Sequence, residues 1–275
     1  MKKVLKRILT ALIGIPIVAG AIVQGGALFA LLAMILSMGA WIELKKMLEK
    51  NEIKLLPVGL GANMIVLFVT WQFGLQGLAA GITVTFLSLF VATLSLHKDP
   101  AWFEKINYTF WGFFYTGVLP AHFILLREFL QNFILTTSYG NYTFGELVLW
   151  LVLLGTWASD TFAYFFGITL GKHKMCPTIS PKKSWEGAVA GFIGCLATIV
   201  YLGNNFLQMQ YQLLIAIGLI VAFFAPIGDL LESVLKRKLQ VKDSGNFFPG
   251  HGGILDRLDS LIIVLPLIYY LVLLA

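Results

Sequence analysis

Nine stretches of about twenty apolar residues follow one another along this chain, and that repetition leaves few folds open. They fall near 7–24, 26–44, 55–73, 75–96, 106–126, 146–170, 185–203, 211–231 and 258–275. A bilayer core of about 30 Å takes roughly 20 apolar residues of helix, which satisfies its own peptide groups where no water can reach them. Hydrophobic residues make up 58% of the chain and charged residues 12%, with a mean hydropathy of +0.84. A soluble domain of this size keeps far more charge on its surface. The expectation is an all-α polytopic membrane protein with about nine transmembrane helices.

The basic residues test that count. Lys and Arg number four before the first run, none after it, four after the second and none after the third. Two follow the fourth run, one (Arg127) the fifth, four the sixth, none the seventh, five the eighth and none the ninth. Nineteen of the twenty therefore fall in alternate connections. By the positive-inside rule the N-terminus is cytoplasmic and the C-terminus outside. Topology thus accounts for the net charge of +6, and no nucleic-acid partner is needed. A cleaved signal peptide is the competing reading of the first run, but no convincing cleavage site precedes the second. Cys176 and Cys195 show neither disulfide nor zinc spacing. No internal repeat and no linker divides the chain, which reads as a single membrane domain over 1–275. Its first five helices carry little chemistry, and His97 and His122 read as interfacial or packing residues.

The chemistry gathers in the C-terminal half. Asp160 lies in W-A-S-D-T-F-A-Y-F-F-G, about ten residues (roughly 15 Å) inside the sixth run. A carboxylate at that depth is costly and should face a polar cavity; its alternative is a hydrogen-bond hub with Ser159 or Thr156. Next comes G-K-H-K-M-C-P-T-I-S-P-K-K-S-W-E-G (171–187), where Lys182, Lys183 and Ser184 precede a helix start. Free N–H groups beside two lysines suit a phosphate. At the end of the eighth run Asp229 and Glu232 stand three apart, as do Asp256 and Asp259 where the ninth begins. Glu232 reads equally well as an ion-pair partner of a neighbouring base.

Between those acids runs the one long polar passage, S-V-L-K-R-K-L-Q-V-K-D-S-G-N-F-F-P-G-H-G-G-I-L-D-R-L-D (233–259). Lys236, Arg237, Lys238, Lys242 and Arg257 share it with Asp243, Asp256, Asp259, His251 and the glycines 245, 250, 252 and 253. Cations, carboxylates and backbone that a ligand can approach closely are the parts of a phosphate and metal site. Carboxylates without a Cys or His cluster suit Mg²⁺.

The pattern S-x-L-K-R, K-D-x-G, F-P-x-H-G-G-x-x-D-R-x-D resembles the signature of the phosphatidate cytidylyltransferase (CDP-diacylglycerol synthase) family. S-P-K-K-S-W-E-G and W-x-x-D-x-x-A-Y-x-x-G resemble the same family, so the likeness covers roughly 157–259. It implies transfer of CMP from CTP to phosphatidate drawn from the bilayer, with Mg²⁺ and room for a second cation. The metal is assigned to Asp229 and Asp256, with Asp259 as a further ligand or a support. Lys182, Lys183, Ser184, Lys236, Arg237, Gly252, Gly253 and Asp160 are assigned to substrate. Asp229, Asp256, Lys242, His251 and Arg257 are the catalytic set. Helices within 1–130 would then be scaffold, and 146–275 would carry a site facing the cytoplasm of a bacterial inner (plasma) membrane. A secondary transporter would be expected to show repeated halves and a midplane site. A CDP-alcohol phosphotransferase would show D-G-x-x-A-R, which is absent. Whether the protein forms a homodimer is left open.

Overall fold

Each apolar run coincides with a helix, or with one arm of a helix, in the computed structural model. The structure describes residues 2–137, 140–248, 250 and 252–275, with side chains from residue 10 onward. The elements run α1 Lys2–Gln24, α2 Gly26–Glu49, α3 Val58–Leu96, α4 Trp102–Phe113, a π-helical turn Phe114–Val118 and α5 Leu119–Arg127. Then follow β1 Ile134–Thr137, β2 Gly140–Thr143, α6 Phe144–Thr169, β3 Lys174–Cys176, β4 Ser180–Ser184, α7 Trp185–Leu207, α8 Tyr211–Lys238 and α9 Leu255–Leu274.

Taking α4, the π turn and α5 as one, seven helices among the described residues are long and apolar enough to cross a membrane. The 39-residue α3 is too long for one crossing, since about 1.5 Å per residue gives roughly twice the bilayer core. Gly74, at φ 58° and ψ −136°, resolves this by breaking the helix into two arms that correspond to the runs 55–73 and 75–96. A Cβ on Gly77 would lie 1.9 Å from the Val69 carbonyl, and one on Gly81 2.7 Å from the Val66 side chain. Past the break the chain therefore doubles back, and the two glycines let the arms touch, as small residues do between membrane helices. Phe90, Leu94, Ile193 and Phe223 are exposed on long apolar helices, as lipid-facing residues are. The protein is an all-α polytopic membrane protein.

Two of the connections between helices contain short antiparallel hairpins, β1 with β2 and β3 with β4. The described residues form two compact units that interleave along the chain: 1–125 with 238–257, and 126–237 with 258–275.

In the first unit a buried polar network joins the helices. Ser37 Oγ donates to the Thr116 carbonyl at 2.5 Å, Asn63 Nδ2 to Thr116 Oγ1 at 2.7 Å, and Thr116 Oγ1 to the Gly112 carbonyl at 2.8 Å. Trp41 packs against Gly59 and Gly112, where a side chain would collide with its ring. In the second unit α6 and α7 pack through small residues. A Cβ on Gly187 would meet the Ala163 carbonyl at 2.7 Å, and one on Gly191 the Ser159 carbonyl at 2.8 Å. Part of the motif around Asp160 is thus a packing surface. Arg127, the one basic residue outside the topological pattern, is buried in this unit. It stands 3.8 Å from Glu146 and donates to Thr143 Oγ1 at 3.2 Å.

Candidate active site

Within the second unit, α8 and α9 approach closely where their acids lie. Gly228 makes this possible, because a Cβ there would sit 2.5 Å from the Asp259 carbonyl and 2.9 Å from Ser260 Cα. Asp229 is half-buried one residue further on. The charges of Asp229 and Asp160 both act on the Asp259 carboxylate, so three of the acids singled out in the sequence are electrostatic neighbours. Asp160 is exposed on α6. Pro226, inside α8, supplies no N–H to the helix ladder. Its carbonyl accepts from Lys183 Nζ at 3.4 Å, and the same Nζ lies 2.7 Å from Asp229 Oδ2. The β3–β4 hairpin carries Lys183, so it aims one lysine of the S-P-K-K-S string at Asp229. Ser233 Oγ donates to Asp229 Oδ1 at 3.4 Å.

Other residues singled out in the sequence have protein partners too. Glu232 is buried with its carboxylate 2.5 Å from Lys236 Nζ, one turn along α8. The ion-pair reading of Glu232 is the one the structure contains, and Lys236 is its partner. Arg237 Nε donates to the Ile179 carbonyl at 3.3 Å. Ser184 caps α7: its Oγ accepts from the Gly187 N–H at 3.2 Å, and it is buried. Lys182 is exposed beside it.

Within the first unit the glycine-rich passage closes into a tight loop before α9. Gly252 has φ +89°, a conformation that side chains disfavour, and a Cβ on it would lie 2.6 Å from Asp256 Oδ2. The Phe248 N–H donates to the Gly252 carbonyl at 3.0 Å. Asp256 Oδ2 accepts from the Ser244 N–H at 3.0 Å, Ser244 Oγ at 3.0 Å and the Gly253 N–H at 2.7 Å. The Gly253 N–H, expected to face a phosphate, is therefore given to Asp256. Lys242 is exposed and lines a hollow of about 770 Å³ with Lys46 and Lys50, against an apolar wall of Ile35, Met38 and Ile42. Arg257 is exposed at the start of α9. His251 lies outside the described residues.

Sequence reasoning passed over one partner of this loop. Glu43, on α2, is buried, and its carboxylate accepts from the N–H groups of Ile254 and Leu255 and from Ser244 Oγ. A signal existed. It is faint: Glu43 is an acid one residue inside the end of an apolar run, where the cost that singled out Asp160 is much smaller.

Among the described residues no three His, Cys, Asp or Glu side chains stand ready to enclose an ion. The donors present are carboxylate oxygens beside lysines. Such a set suits a cation that takes one or two protein ligands and completes its shell with phosphate oxygens and water, as Mg²⁺ does.

Membrane helices carrying acids, lysines and a glycine-rich turn define a membrane-embedded class, and comparison with known sequences gives it a name. Residues 5–275 match the Cytidylyltransferase family; the chain belongs to that family and is a nucleotidyltransferase. It is 34% identical over 278 residues to the phosphatidate cytidylyltransferase of Bacillus subtilis (strain 168), covering 97% of this chain and 96% of that one. With the phosphatidate cytidylyltransferase of Staphylococcus haemolyticus (strain JCSC1435) the identity is 35% over 271 residues, covering 95% and 96%. With the chloroplastic phosphatidate cytidylyltransferase 5 of Arabidopsis thaliana it is 38% over 201 residues, covering 68% of this chain and 50% of the other.

Proposed function

We propose that this protein transfers CMP from CTP to phosphatidate, forming CDP-diacylglycerol and pyrophosphate for phospholipid synthesis. A phosphate oxygen of phosphatidate attacks the α-phosphorus of CTP, and the bond from that phosphorus to the bridging oxygen of the β-phosphate breaks. The attacking group is already ionised at neutral pH, so a strong general base is not needed. What the protein must do is hold two polyanions together and offset the charge that builds on the phosphates.

The observation that carries this reading is the close approach of α8 and α9 at Gly228, next to Asp229 and against Asp259, with Lys183 bound to Asp229. Lysines hold the triphosphate by charge, and the acids would hold Mg²⁺, which when bound would neutralise phosphate oxygens as a Lewis acid. Asp229 and Asp259 are assigned to the metal on their proximity, and Asp256 on its motif. Lys182, Lys183, Lys236, Arg237, Lys242 and Arg257 are assigned to phosphates. We place the reaction at the cytoplasmic edge of a bacterial plasma membrane, on the strength of the basic-residue pattern.

The test is to incubate the purified protein with CTP, phosphatidate and Mg²⁺ and measure pyrophosphate and CDP-diacylglycerol together. Both should appear in equal amounts, and neither without the metal. Turnover of CTP with diacylglycerol in place of phosphatidate, or none with phosphatidate, overturns the reading.

A further inference from the structure

Glu43 makes three hydrogen bonds that the chemistry assigned above leaves unexplained. Its Oε1 accepts from the Ile254 N–H at 2.9 Å, and its Oε2 from the Leu255 N–H at 3.1 Å and Ser244 Oγ at 3.0 Å. It is 7% exposed, and no ion pair to it exists among the described residues. A carboxylate so enclosed is tolerated only if its oxygens are satisfied. Here the satisfaction comes from the free N–H groups and positive dipole end of α9.

The surroundings are shaped to it. A Cβ on Gly245 would lie 2.4 Å from Glu43 Oε1, and one on Gly253 2.4 Å from Oε2. Side chains at either position would push the carboxylate out. Ser244 Oγ stands 3.0 Å from both Glu43 Oε2 and Asp256 Oδ2, so one hydroxyl proton is shared by two acids. Asp256 in turn takes the Gly253 N–H. Three successive N–H groups, from residues 253 to 255, are thus divided between Asp256 and an acid more than 200 residues earlier.

We infer that Glu43 is a positioning residue for the nucleotidyl transfer: it fixes the first turn of α9 and, through Ser244, the orientation of the Asp256 carboxylate. The inference rests on the functional reading above for its catalytic consequence, but not for its structural one. It also gives the N-terminal helices a part in the reaction, because α2 brings a side chain to the motif loop.

The experiment uses the full-length protein in detergent, with Glu43→Gln as the main variant. Glutamine keeps the shape but removes the charge and replaces one acceptor oxygen with a donor. Turnover per folded molecule should fall roughly 10- to 100-fold, as small misplacements do, with the KM for phosphatidate changed little. The Glu43→Gln/Asp256→Asn double variant should be no slower than Asp256→Asn alone, because one residue acts through the other. Hydrogen exchange read by mass spectrometry should rise about tenfold or more in peptides spanning 252–258 and stay unchanged in α6 and α7. Wild-type turnover with wild-type protection in Glu43→Gln, or losses that multiply in the double variant, overturns the inference. If Glu43→Gln does not fold, Ser244→Ala, which removes only the shared hydroxyl, must show the same local exchange and the same fall in turnover. If the wild-type protein forms no CDP-diacylglycerol, the functional reading fails and the exchange measurement alone decides the positioning role.

Discussion

Replacing Asp229 with Asn separates the chemical role of this acid from its structural one. In the structure its Oδ2 lies 2.7 Å from Lys183 Nζ, with side chains 35% and 24% exposed. An ion pair that water reaches to this extent contributes about 1 kcal/mol or less. On that count Asp229→Asn should lower the melting temperature by only a few degrees, at roughly 2–4 °C per kcal/mol for a chain of this size. The catalytic cost is larger. Loss of one preorganised charge where phosphate charge develops costs about 3–4 kcal/mol, which is a 100- to 1,000-fold loss of turnover. The two estimates differ enough for experiment to tell them apart. CTP- and phosphatidate-dependent pyrophosphate release across a Mg²⁺ titration should show the fall together with a Mg²⁺ midpoint moved to higher concentration. Asp259→Asn should do the same, and the two changes should not multiply, because they serve one ion. Lys183→Met should instead raise the KM for CTP and leave the Mg²⁺ midpoint near its wild-type value. Near-normal turnover with unchanged Mg²⁺ dependence in Asp229→Asn would refute the metal assignment.

Other consequences are quicker to check. Gly253→Ala places a Cβ 2.1 Å from Ser244 Oγ and should cut turnover at least about tenfold, whereas Gly61→Ala, with nothing within 4 Å, should leave it unchanged; equal effects would show that the clash has no consequence. Glu146→Ala removes the carboxylate beside the buried Arg127 and should destabilise the protein by about 3 kcal/mol in thermal unfolding; a shift under about 1 kcal/mol would mean that the other partners of the arginine suffice. Cysteine-accessibility labelling should find 45–54, 171–184 and 236–256 on the cytoplasmic face and 127–145 on the other, following the basic residues. Labelling of 171–184 and 236–256 from opposite faces would rule out a single site built from both.

What could be read from the sequence was local. Apolar length and alternating basic loops marked out the helices, including the two arms of α3, because each signal sits within about twenty residues. The corner at Gly74 separates two runs that differ in no other respect, so their boundary was legible but not the break in φ and ψ that makes it. The hairpins were not legible: β4 is S-P-K-K-S, with no apolar alternation to mark a strand, and it forms only by pairing with β3. The candidate site residues could be named by type, but not the protein partners they take. Ser184 and the Gly253 N–H suited a phosphate by type, yet helix capping and a carboxylate claim them, because a polar group near a buried helix start must first be satisfied by the protein itself. Glu43 was hidden by its neighbours. In W-I-E-L-K-K it reads as the ordinary charged end of a membrane helix, and its partners lie more than 200 residues away. The passage 233–259 reads as one continuous motif, yet residues 238–257 group with the first unit, and residues 233–237 and 258–259 with the second. Asp256 and Asp259, a single helical turn apart, therefore answer to different surroundings: one to a serine and a glycine N–H, the other to Asp229 and Asp160. Equal spacing along a helix does not make two acids equivalent, and so Asp256→Asn and Asp259→Asn should differ in how they alter exchange in the loop even where they agree in lost turnover.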